Sequence, residues 1–77
     1  MQTARQSIYN RTEAPIYVSI ELTPDCYELE PGDHLTLIYD VSVEGDALQV
    51  DFLNQRELVV WPNGHDPEVL HPGPLAA

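Results

Sequence analysis

The chain has 77 residues, of which thirteen are acidic and three are arginines, with no lysine, giving a net charge of −10. That length holds one small domain, and a composition of 43% hydrophobic and 21% charged residues is globular rather than disordered. With only Arg5, Arg11 and Arg56 to offer phosphates, nucleic acid and anionic membrane are excluded as main partners.

Hydrophobic spacing has period two almost throughout, and proline and glycine punctuation leaves no window for a helix of ordinary length. The first predicted strand spans residues 6–11, and Thr12-Glu13-Ala14 turns the chain toward Pro15. A second strand over 16–22 puts Ile16, Val18, Ile20 and Leu22 on one face, with Tyr17, Ser19 and Glu21 on the other. Thr23-Pro24-Asp25 breaks that run. A third strand over 26–30 has Tyr27 and Leu29 inward, and Pro31-Gly32-Asp33 forms the next turn.

From residue 35, Leu35, Leu37, Tyr39, Val41 and Val43 alternate with polar neighbours; beyond Glu44-Gly45-Asp46, Leu48, Val50 and Phe52 do the same. A two-residue loop at Gly45-Asp46 predicts a hairpin pairing Val43 with Leu48, Val41 with Val50, and Tyr39 with Phe52. That register sets Asp40 against Asp51 and Ile38 against Leu53 on the outward face. A further strand over 57–61 carries the continuous run Leu58, Val59, Val60 and Trp61, whose facing the pattern leaves open. The expectation is a single β domain over residues 1–61 followed by a proline-rich extended tail over 62–77.

About six short strands predict an all-β fold, either a small antiparallel β-sandwich or a partly open barrel. The string Asn10, Thr12, Pro15, Val18, Ile20, then Tyr27 to Asp33, Leu35 and Leu37 resembles the first half of small immunoglobulin-like sandwich domains, bacterial chaperone-like and sperm-protein-like modules among them. There a polar turn precedes a half-buried strand, and Pro-Gly opens the next. The chain also resembles small bacterial β proteins of uncharacterised role. Both resemblances imply fold rather than activity.

Like charges facing each other across strands repel, so the expected Asp40–Asp51 pair calls for solvent screening, a bound cation, a raised pKa on one partner or Arg56 folding back from the next turn. The same pair, with nearby histidines, is the alternative site for a divalent metal or for hydrolysis. Against it stand the absence of an Asp-x-Asp-x-Asp-Gly loop and the spacing of His34, His65 and His71, which matches no metal-ligand pattern. Pro-Gly-Asp before His34 is similar to cupin barrels, but their His-x-His has no counterpart here. Cys26, beside Asp25 and the Glu28 and Glu30 carboxylates, is a poor nucleophile, and a lone cysteine forbids an internal disulfide.

The function expected is therefore a non-enzymatic, cofactor-free binding or assembly module. Outward Tyr17, Ile38 and Leu53 supply apolar contact, and the acidic patch of Glu28, Glu30, Asp33, Asp40 and Asp51 steers a basic protein partner. Self-association through the same patch or a free strand edge is the other expectation. With neither a signal peptide nor a membrane-length apolar run in view, the expected compartment is the cytoplasm. The final Leu75-Ala76-Ala77 resembles the end of the bacterial stalled-ribosome tag, which would make it a protease handle.

Overall fold

The structure is a computed structural model that describes residues 2–21, 23, 25–64 and 67–71. Leu22, Pro24, His65, Asp66 and the Leu75-Ala76-Ala77 end lie outside the described residues. The protein is all-β, with strands β1 (Thr3–Tyr9), β2 (Ile16–Ile20), β3 (Cys26–Leu29), β4 (His34–Asp40), β5 (Leu48–Phe52), β6 (Glu57–Pro62) and β7 (Glu68–Leu70). They form two open sheets: sheet A in the order β1-β4-β7 and sheet B in the order β3-β2-β6-β5. The chain deposits one strand in A, then two in B, and repeats that alternation, so that β7, the last described strand, lies in A. Among the described residues, no helix is long and apolar enough to cross a membrane.

The core is what the alternation requires. Ile16, Val18 and Ile20 from β2, Leu29 from β3, Leu35 and Leu37 from β4, and Leu58 and Val60 from β6 meet between the sheets, with Ile8, Tyr27, Tyr39, Leu48 and Val69 packed around them. Asn10 holds the corner where β1 leaves sheet A. Its buried side chain donates to the carbonyls of Ala14 and Leu29, both at 2.8 Å, and accepts from the Thr12 amide at 2.9 Å. Its own backbone exchanges hydrogen bonds with Asp33 and Gly32. At the turn that follows β3, Gly32 takes a φ of +85° and the Asp33 amide donates to the Glu30 carbonyl at 2.9 Å, the geometry that Pro followed by Gly favours.

The hairpin at Gly45-Asp46 does not form. Strand β4 is the centre of sheet A, with β1 on one side and β7 on the other, so it has no edge left for β5. Tyr39 lies opposite Ala4, and Val41 continues that ladder by donating to the Gln2 carbonyl at 2.9 Å. Residues 41–47 instead carry the chain across to sheet B, where β5 pairs with β6, matching Val50 with Val60 and Phe52 with Leu58. Alternation fixes which face a side chain takes, not which strand lies alongside. Tyr39, Leu48 and Val50 are still neighbours, but across the gap between the sheets, where with Gln6 and Ile8 they line an open cleft of about 560 Å³.

The expected small β-sandwich or partly open barrel stands, with two details added. Among the described residues there are seven strands where about six were expected, since Glu68–Leu70 within the proline-rich segment pairs antiparallel with β4, matching Leu37 with Val69. The sheets are not wholly antiparallel, because β2 and β6 run parallel, Tyr17 beside Glu57 and Ile20 beside Val60. The chain visits sheet A between those two strands, and such a crossover permits a parallel pair.

Candidate functional site

The candidate surface is the outer face of sheet B. Because Ile16, Val18 and Ile20 point to the core, Tyr17 and Ser19 must point away from it. On one flank of Tyr17 lies Glu28 of β3, and on the other Glu57 of β6, so a ring sits between two carboxylates in one cross-strand row. The next row runs Cys26, Ser19, Val59, Asp51 across β3, β2, β6 and β5. Trp61 and Gln49 face each other one step further along, and the Glu21 amide donates to the Val60 carbonyl at 2.8 Å beside them. Val59 is buried among these neighbours, whereas Trp61 keeps 42% of its surface exposed.

Among the described residues, no arginine neutralises the charge on this face. Arg56 donates to the Thr12 hydroxyl at 2.7 Å and to the Ala14 carbonyl at 3.2 Å; Arg11 lies 4.9 Å over the Tyr9 ring; Arg5 is opposite Ile38 in sheet A. Among the described residues no arginine forms an ion pair. Crowding of like charge is visible where Glu30 lies beside Glu28: a hydrogen bond to Glu28, with burial and the Glu28 and Asp33 charges adding to it, holds the Glu30 carboxyl above its ordinary range.

The expected site residues separate into two groups. Tyr17, Glu28 and Asp51 share the outer face of sheet B, and Glu30 lies just past the end of the strand that carries Glu28. Ile38 and Asp40 lie in sheet A, Ile38 between Arg5 and Glu68 and Asp40 opposite Thr3. Ile38 therefore does not meet Leu53, which stands exposed beyond β5, and Asp40 does not oppose Asp51, whose cross-strand neighbour is Val59. The register that joined these residues disappears with the hairpin.

Asp40 is buried, its carboxylate accepting from the Ser42 amide at 2.8 Å and from the Ser42 hydroxyl. Asp33 works locally: Oδ1 accepts from the His34 amide at 2.8 Å and Oδ2 lies 3.2 Å from Nε2 of the buried His71. The expected Asp40–Asp51 pair is thus not formed, and among the described residues no group of three or more His, Cys, Asp or Glu is placed to hold a metal ion. Cys26 is a free, half-buried thiol opposite Ser19.

Trp61, Glu57 and Gln49 also belong to this face, which the sequence left open for Trp61 and did not indicate for the other two. Four consecutive apolar residues, 58–61, carry no alternation, so only the pairing with β5 and β2 reveals that Trp61 points outward. Comparison of the chain with family models, curated proteins and solved structures yields no match.

Proposed function

We propose that this protein is a non-catalytic binding module that docks a basic protein segment on the outer face of sheet B. The observation that carries the reading is the row of Glu28, Tyr17 and Glu57, continued on the same face by Asp51 and Trp61. Rings supply contact area with little entropy to lose, and carboxylates that no arginine among the described residues pairs with attract a cationic partner from a distance. A standard interface takes about 800 Å² from each partner, roughly a sixth of the 4983 Å² this molecule exposes, so binding through one sheet face is weak to moderate and reversible. A lone cysteine and no internal disulfide suit a reducing compartment such as the cytoplasm.

Calorimetric titration with a peptide rich in arginine and lysine tests the proposal. Binding is expected at low salt and is expected to weaken steeply as salt rises. Neutralising Glu28, Asp51 and Glu57 together to Gln, Asn and Gln should abolish it. Salt-insensitive binding, or none, would overturn the reading.

A further inference from the structure

At the end of the same face, Trp61, Pro62 and Asn63 of one chain segment and Asp46, Gln49 and Asp51 of another enclose an open groove of about 560 Å³. Its walls are held by the β5–β6 ladder, which ends with the Asn63 amide donating to the Ala47 carbonyl at 3.0 Å. Within the groove the Gln49 side-chain amide lies 3.3 Å from both oxygens of Asp51, a long contact that steadies the carboxylate and leaves lone pairs on each oxygen for a ligand. Trp61, 42% exposed and paired across the ladder with Gln49, lines the groove beside them, and so does Asp46.

We infer that this groove is the seat of an arginine side chain. The inference rests on the proposed docking of a basic segment and names the side chain that the segment inserts. One flat aromatic wall beside a carboxylate suits a planar cation: guanidinium stacks on indole while its parallel N–H donors pair with both carboxylate oxygens. A lysine ammonium satisfies the charge but neither the plane nor the fork. The chain's own guanidinium groups do not fill the place, since Arg11 is taken by Tyr9, Arg56 by Thr12 and Ala14, and Arg5 is in the other sheet. A neutral sugar would also stack on the indole, but it would gain nothing from a net charge of −10.

Trp61 is the only tryptophan, so its fluorescence reports occupancy directly. The probes are a blocked Gly-Arg-Gly peptide and its lysine and citrulline counterparts, with a neutral oligosaccharide as the competing chemistry. The arginine peptide is expected to perturb the fluorescence and to bind about tenfold more tightly than the lysine peptide, with citrulline inert. Asp51→Asn should weaken the arginine peptide about tenfold by calorimetry, and Trp61→Leu comparably, each variant first shown to keep the parent's amide spectrum. Equal binding of arginine and lysine, no effect of Asp51→Asn, or preference for the oligosaccharide would each overturn the inference. If a longer basic peptide still bound sheet B in a salt-dependent way, the groove would fall while the docking face stood. If that peptide also failed to bind, both would fall.

Discussion

The Asn10 side-chain amide donates to the Leu29 carbonyl at 2.8 Å, so the residue that follows β1 of sheet A is bonded to the last residue of β3 in sheet B. The other Nδ2 contact reaches Ala14, and Oδ1 serves Thr12 twice, which leaves this buried amide fully employed. Asn10→Ala strands several of those partners at once and is expected to cost about 2–4 kcal/mol. Chemical denaturation measures it. A loss well under about 1 kcal/mol would mean that water replaces the side chain without penalty.

Glu28 and Glu30 crowd each other at the end of β3, and the Glu30 carboxyl titrates above its ordinary range because of that hydrogen bond and charge. A carboxyl raised on folding favours the native state when protonated, and that contribution is lost as pH rises through the folded value. Glu28→Gln should therefore raise the melting temperature at neutral pH, with the gain shrinking as pH falls below the ordinary carboxylate range. Melting curves across pH decide it. A gain of equal size at acid pH would contradict the assignment.

Tyr27 packs edge-on against His71, ring centroids 5.4 Å apart, and burial, with the Asp25 charge as a lesser cause, pushes its phenol above the usual 10.0. A raised phenol stabilises the fold at pH values below 10 and ceases to do so as pH rises through the folded value. Tyr27→Phe is expected to flatten the alkaline fall in stability. Denaturation on either side of that range, with phenolate absorbance as the second readout, tests it; an unchanged alkaline slope would rule it out.

Gly64 lies against Asp40, and a Cβ there would come within 2.9 Å of both the Asp40 Cβ and Oδ2. Asp40 cannot retreat easily, being buried in the central strand of sheet A and bonded to Ser42. Gly64→Ala should thus cost about 1–3 kcal/mol, whereas Gly45→Ala, with open space around it but a φ of +77°, is opposed by backbone strain alone. Paired denaturation curves compare the two. Indifference to Gly64→Ala would show that the chain after β6 shifts freely.

Much of the core was legible in the sequence, because period-two alternation sent Val18, Leu29, Leu35 and Leu37 inward and Tyr17 and Glu28 outward without reference to neighbours, whereas Asp40, expected outward, is buried and Phe52, expected inward, is 74% exposed because the hairpin that placed them does not form. The Pro31-Gly32 turn was legible for the same local reason. Strand partners were not. Nothing in the spacing of residues 35–52 distinguishes a hairpin within one sheet from a crossing between two, and the competition is won by β1 and β7, which lie far away in the chain. The facing of Trp61 stayed open because its neighbours are apolar on both sides, and the Trp61 groove exists only once β5 lies against β6.

The central claim is that basic segments bind the outer face of sheet B, and amide chemical-shift mapping with an arginine-rich peptide tests it most directly. The amides of Tyr17, Glu28, Asp51, Glu57 and Val59, with the Trp61 indole N–H, are expected to move in step and to return as salt is added. Those of Arg5, Thr36 and Ile38 in sheet A should stay still. Movement centred on sheet A, or shifts spread evenly over both sheets, would contradict it.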